Sequence, residues 1–442
     1  MKLKLYNTLT RKKEIFKTIE EKKARIYVCG PTVNDVPHVG HARQQISFDI
    51  LRRYLKFSGY NVKFVSNITD IEDKIIKKAN ESGVPIEELT EKNYKVHMQD
   101  YEAIGVEKPD VQPRATQYVK EMIDLIKKLE DKKYTYIIED DGVYYDVSKF
   151  EDYGKLSHQN IKDLQSGVRN KSNDFKKNPQ DFVLWKFSKP NEPSWSSPWG
   201  KGRPGWHIEC SAMSHAILGL PLDLHGGGQD LIFPHHEDEI AQSEAGYGKN
   251  FSNHWMHNAM VNIEGTKMSK SLGNFKTIRD ILKEYSGEVI RYFVLSTHYR
   301  KPINFSKKEL EESKASLNRL KNMFAEVKED GKTNKEYLES FKKAMDDDLN
   351  TPKALQVLWK IARDKKEHGK INTIEKIDGV FGLNLLKKEE VKISKEVHHL
   401  LEQREKARKK KEWEKADELR KKIKSLGFLV DDSKEGAKVK KI

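Results

Sequence analysis

The chain has 442 residues, 36% hydrophobic and 34% charged, enough for roughly two to four domains with more than one sizeable core. No uninterrupted apolar run approaches the length of a membrane span, and the opening MKLKLYNTLTRKKE lacks the apolar block of a secretory signal. A cytoplasmic protein with no membrane partner is therefore expected. The net charge of +14, from 82 Lys+Arg against 68 Asp+Glu, suits a polyanionic partner, although Lys-rich solvated helices produce the same surplus.

In chain order, residues 24–29 (ARIYVC) read as a short buried strand stopped by Gly30-Pro31. A helix is predicted from about His41, with Ile46, Ile50, Leu51, Tyr54 and Leu55 at helical spacing, and NVKFVSNI (61–68) reads as a second strand. Strand, turn, helix and strand make a βαβ unit, so a parallel α/β domain is expected. Residues 111–204 mix strand-like pieces with polar, Pro- and Trp-containing segments and read as an insertion that splits this domain. From 306 the texture is helical and highly charged, with Leu310, Leu317, Leu320, Phe324 and Val327 on one face. Thr351 is placed as an N-cap with Pro352 at the first helical position. Asp346, Asp347 and Asp348 just before it could bind a metal but read better as a solvated acidic lead-in. Trp413, Ala416, Leu419, Ile423 and Leu426 form an apolar stripe on a basic helix near the end.

Two segments carry phosphate chemistry. In CGPTVNDVPHVGHAR (29–43) a Gly-containing loop runs from strand to helix, and a helix N-terminus presents free N–H groups to an anion. His38 and His41 flank Gly40, where a planar base can approach the backbone. In KMSKS (267–271), Lys267 and Lys270 are placed to meet the charge of a triphosphate, with Ser269 beside them. Together HVGH and KMSKS resemble the two signatures of class I aminoacyl-tRNA synthetases, with ATP and Mg2+ as the implied substrate.

A third constellation concerns metal. A helix is predicted after Pro234 in FPHHEDEIAQSEA, which puts His235 and Glu239 on one face at i, i+4; His236 with Glu239 at i+3 stays open. Added to Cys29 and Cys210, the chain's two cysteines, these make a plausible zinc shell.

The segments YVCGPTV, NITDIEDKIIKKA, GRPGWHIECSAM, LDLHGGGQDLIFPHHEDEIAQSEA, NHWMHNAMVNIEGTKMSKSLGNF and AMDDDLNTPKAL resemble cysteinyl-tRNA synthetases over nearly the whole chain. The resemblance implies an α/β fold: a class I Rossmann-type parallel-sheet catalytic domain (1–110 and 205–250) with an inserted α+β connective-peptide domain (111–204). It further implies a KMSKS and stem-contact region (251–305), a tRNA-binding helical bundle (306–388) and a C-terminal anticodon-binding domain (389–442). It implies that Cys29, Cys210, His235 and Glu239 hold one zinc ion, that His38, Gly40, His41, Lys267, Ser269 and Lys270 serve ATP, and that Gly30, Thr69, Trp206, His225 and Asp230 line the amino-acid pocket. The implied partners are L-cysteine, ATP and tRNA(Cys), acting on a monomer. Asn34, Ser66 and the tail DDSKEGAKVKKI, which lacks a Trp, depart from the family pattern. A soft cation separates a thiolate from an alcohol better than pocket shape does, which gives the metal a reason to be there. Two rival readings are a ligase that couples adenylated cysteine to a small amine and a non-catalytic zinc-stabilised nucleic-acid binder. The basic tail argues against the first, the two signatures against the second.

Overall fold

The computed structural model describes residues 2–159, 175–190, 192–267, 276–365, 368–387, 394–433 and 436–441. They fall into two compact units, Met1–Leu386 and Lys387–Ile442.

The first unit is organised by a parallel sheet of β3 (Lys23–Val28), β4 (Asn61–Ser66), β9 (Leu224–Gly228) and β10 (Trp255–Asn258), in the order β10-β9-β3-β4. These strands are short and largely buried because both faces are covered. Ile26, Val28 and Leu224 pack with α1 (Val39–Phe57) in one core, while Tyr27 and Val65 face a second core with the insertion. α1 crosses from β3 to β4, whereas β9 lies on the other side of β3. The crevice where the connections diverge, outside the carboxyl ends of the strands, is where ligands bind in such sheets.

The helix begins earlier than predicted. His38, extended at φ −115° and ψ 175°, is its N-cap, and its side chain accepts from Gly40 N–H. β3 stops at Val28, leaving Cys29 just beyond the strand, and β4 stops at Ser66. After α2 (Asp73–Ser82) and α3 (Ile86–Ala103), residues 111–115 return alongside the end of β4: Ser66 N–H donates to Val111 O (3.2 Å) and Ile68 N–H to Pro113 O (2.8 Å). Beyond α4 (Val119–Asp131) comes an antiparallel sheet, β5 (Thr135–Ile138), β6 (Gly142–Tyr145), β7 (Phe182–Phe187) and β8 (Gly202–Pro204), in that order. It delivers the chain to α5 (Trp206–Leu218), which with α6 (Glu237–Tyr247) packs on α4.

Helices from Lys307 to Phe381 complete this unit. Leu310, Leu317, Leu320 and Phe324 are buried as their spacing required. The helix Thr351–Arg363 is capped differently from the sequence expectation. Asn350 is the N-cap, accepting from Lys353 N–H at 3.2 Å, while the Thr351 hydroxyl donates to Leu295 O at 2.8 Å. Pro352 thus falls on the second helical position. Of the preceding acidic triplet only Asp347 reaches solvent, paired with Lys13 at 2.7 Å, while Asp346 and Asp348 are buried. Asp348 is fully buried, taking Tyr6 N–H (2.8 Å), the Tyr299 hydroxyl (2.6 Å) and Arg300 (2.7 Å), because β1 (Lys4–Asn7) hydrogen-bonds along this turn.

The second unit packs helices Lys395–Lys409 and Trp413–Ser425 with a hairpin of Phe428–Ser433 and Gly436–Lys441, around Val397, Ile423 and Val430. Ala416, Leu419 and Ile423 are buried, but Trp413 is 58% exposed and Leu426 40%. The ends of the predicted stripe face solvent. Among the described residues no helix is long and apolar enough to cross a membrane.

Candidate metal and nucleotide site

Three elements converge where β3 ends. Cys29 follows the strand, Cys210 lies in the first turns of α5, and the irregular turn Ile232–His236 feeds Glu239 into α6. All of Cys29, Cys210, His235 and Glu239 are buried. Cys29 Sγ lies 3.5 Å from Cys210 Sγ and 3.2 Å from Glu239 Oε1, and His235 Nε2 lies 2.9 Å from the same oxygen. His235 precedes the helix proper, yet the i, i+4 pairing with Glu239 forms. One donor atom from each of the four falls within 4.8 Å of the others, and so does a second set, Cys29, His225, His236 and Glu239. The sequence reading left His236 open, and the structure places it in that second set.

Burial pushes the Cys29 thiol up, reinforced by Cys210 and Glu239. Burial opposes ionisation at Cys210 and Glu239 as well. At Cys210, however, the Cys29 hydrogen bond and the His235 imidazole prevail and hold the thiol below its ordinary range. Glu239 is held well below the usual carboxylate range by His225 and His235. His235 goes up to about 10 against its desolvation, under Glu239 and Cys210. Such a cluster keeps anionic donors buried around a proton that a cation could displace. The donor chemistry, two thiols, imidazole and carboxylate, is compatible with zinc. His225 Nδ1 and His236 Nε2 are buried without a hydrogen-bond partner among the described residues, as nitrogens able to meet a cation would be.

Beside this cluster opens a cleft of about 370 Å³. Gly30, His38, Gly40, His41, Trp206 and Asp230 line it. Gly30 is needed for its size, since a Cβ there would sit 1.6 Å from Asn67 O. His41 Nδ1 faces His38 N–H at 3.2 Å and His38 Nδ1 faces Gly40 N–H at 3.0 Å. A backbone N–H only donates, so both Nδ1 atoms accept and both Nε2 atoms carry the proton. Burial, with His38 and His97 nearby, lowers the His41 pKa well below its ordinary value. The two rings stack with centroids 3.9 Å apart.

Thr69 and His225 sit deeper. The Thr69 hydroxyl donates to Glu209 at 2.7 Å, and His225 is fully buried with Nε2 3.1 Å from Glu239 Oε2. Trp206 stacks on His235, centroids 4.2 Å apart. Lys267 pairs through its backbone with Asn262, while Ser269 and Lys270 lie outside the described residues. Sequence reasoning missed several residues of the cleft and its wall. Gln44 lines the cleft and donates to Cys29 O at 2.7 Å, and Lys74, Asn258 and Met260 line it too. Gln44 could have been found one helical turn beyond Gly40; the others carried no local signal.

Residues 15–315 match the family described as tRNA synthetases class I (C) catalytic domain, 340–386 the DALR domain, and 390–439 the cysteinyl-tRNA ligase anticodon binding domain. A cysteine–tRNA ligase of Clostridioides difficile (strain 630) is 46% identical over 466 aligned positions, covering 100% of both chains. The chain belongs to the cysteine–tRNA ligase family. Another family member, from Coxiella burnetii (strain RSA 493 / Nine Mile phase I), is 48% identical over 99% of each chain. The fold is that of class I synthetases: a Mycobacterium tuberculosis methionyl-tRNA synthetase in complex with methionyl-adenylate superimposes with a TM-score of 0.61 at 16% identity, covering 82% of this chain and 88% of that one. As a family member the chain is a ligase enzyme.

Proposed function

We propose that the enzyme activates L-cysteine with Mg2+·ATP to cysteinyl-adenylate and transfers cysteine to the 3′ end of tRNA(Cys), with Cys29, Cys210, His235 and Glu239 holding one zinc ion. The observation that carries this reading is the buried cluster of two thiols, an imidazole and a carboxylate directly behind the nucleotide cleft. Of the two donor sets, the one with both cysteines offers more soft sulfur and suits zinc better. In it, His225 backs Glu239 from the buried side. When bound, zinc supplies a soft Lewis acid that prefers a thiolate to an alcohol and so separates cysteine from serine.

The chain's own groups position the chemistry. Trp206 and Asp230 form the cleft wall next to the cluster, suited to the body and ammonium of an amino acid. The cysteine carboxylate attacks the α-phosphorus of ATP, the bond to the bridging oxygen breaks, and pyrophosphate leaves with its electron pair. His38 and His41, each accepting at Nδ1 and carrying its proton on Nε2, are assigned as donors to phosphate oxygens, and Lys267 and Lys270 to the leaving pyrophosphate. The terminal ribose hydroxyl of tRNA then attacks the acyl carbon and AMP leaves. The family resemblance further supports a cytoplasmic monomer.

Cysteine-dependent exchange of pyrophosphate into ATP, followed by charging of tRNA(Cys), tests the reading. Exchange with transfer to tRNA is expected; exchange with transfer only to an amino sugar would overturn the tRNA assignment.

A further inference from the structure

The loop that carries His38 and His41 is held from behind by a helix that contributes nothing to the cleft itself. α3 (Ile86–Ala103) packs against the loop, and two of its residues, one helical turn apart, grip backbone carbonyls two residues apart. Asn93 Nδ2 donates to Val33 O at 2.9 Å and His97 Nε2 meets Asp35 O at 2.9 Å. A carbonyl only accepts, so His97 carries its proton on Nε2. Its Nδ1 is then an acceptor, and the Tyr101 hydroxyl, one turn further on, donates to it at 3.0 Å. His97 is fully buried, and its ring stands edge-on to His41 with centroids 5.5 Å apart. The same helix reaches the segment that follows the second signature. Asp100 receives Arg279 at 3.1 Å, and residues 276–278 pair with the first signature through Val39 N–H to Lys276 O (3.1 Å) and Ile278 N–H to Pro37 O (3.0 Å).

We infer that His97 is a positioning residue for the nucleotide: by donating Nε2–H to Asp35 O and packing its ring on His41, it sets the loop and imidazole that meet the ATP phosphates. Tyr101 fixes the tautomer that this donation requires, in the way an outer hydrogen bond orients a ligating histidine. His97 touches neither the cleft nor the zinc donors, so its loss acts on ATP and spares cysteine. This rests on the proposed role of HVGH at ATP.

The test measures pyrophosphate exchange in the full-length, zinc-loaded enzyme with ATP and cysteine varied separately. His97→Phe keeps a ring against His41 but removes the donor; His97→Gln removes the ring but keeps an amide N–H at the Nε2 position. His97→Phe is expected to raise KM for ATP by about tenfold or lower kcat/KM for ATP equally, with KM for cysteine within about twofold of wild type. His97→Gln is expected to recover most of that loss. Tyr101→Phe, which removes one hydroxyl, is expected to raise KM for ATP by about threefold and serves if His97→Phe does not fold. Equal losses for ATP and cysteine, no rescue by glutamine, or an unchanged KM for ATP in Tyr101→Phe would overturn the inference. Absence of cysteine-dependent exchange in the wild type would instead overturn the functional reading beneath it.

Discussion

At the scale of single residues, the four proposed metal donors divide by how local their geometry is. His235 and Glu239 could be paired from sequence because i, i+4 spacing brings side chains together wherever the backbone turns helically. Cys29 and Cys210 were drawn in as the chain's two cysteines, both inside motif-like segments but 181 positions apart, and the fold sets their sulfurs 3.5 Å apart. His225 beside Glu239, and the chain from Thr8 Oγ1 through His257 to His236 (2.8 Å at each link), were not legible, because only the sheet joins them. Asp348 was misread for the same reason: the strand that covers it lies at the other end of the chain. Buried histidines also govern acid stability. His254 is pushed down to about 4 from an ordinary 6.5, chiefly by burial. Above pH 6.5 neither folded nor unfolded chain protonates it, and stability is whole. As pH falls from 6.5 towards 4 the unfolded chain takes up a proton that the folded chain refuses, which removes up to roughly 3 kcal/mol. Urea midpoints should therefore fall between pH 7.5 and pH 5, and fall less in His254→Gln. An equal fall in that variant would contradict the role given to His254.

At the scale of elements, periodicity located helices well and their ends less well. On the helix at Lys307–Ala325, Leu310, Leu317, Leu320 and Phe324 form the expected apolar face because core burial and helical spacing agree, while Val327 falls past the helix end and is only partly buried. The start of the helix at Thr351 was placed one residue late because Asn350 and Thr351 are both good caps; Leu295 O, invisible in sequence, takes the threonine hydroxyl. Removing the true cap with Asn350→Ala should cost about 1 kcal/mol in urea unfolding. A change in stability near zero would mean that the cap bond to Lys353 contributes nothing.

At the scale of the whole molecule, the two units invite a division of labour between activation and tRNA selection. The tail DDSKEGAKVKKI carries no aromatic that could stack on a base. The structure instead exposes Trp413, which helical periodicity had assigned to the core, on a basic helix. An exposed indole among lysines suits stacking on a nucleotide base, worth roughly 1–3 kcal/mol. Trp413→Ala should thus lower kcat/KM for tRNA charging by about tenfold or more and leave pyrophosphate exchange unchanged. A loss shared by both reactions would place Trp413 in folding rather than recognition.

The central claim is that zinc held by Cys29, Cys210, His235 and Glu239 selects cysteine. The most direct measurement pairs metal content with the cysteine-to-serine ratio of kcat/KM in pyrophosphate exchange, for wild type and for Cys210→Ser and Glu239→Ala. One zinc per chain and strong preference are expected in the wild type, with metal and preference lost together in both variants. A metal-free wild-type protein that still preferred cysteine over serine would contradict it.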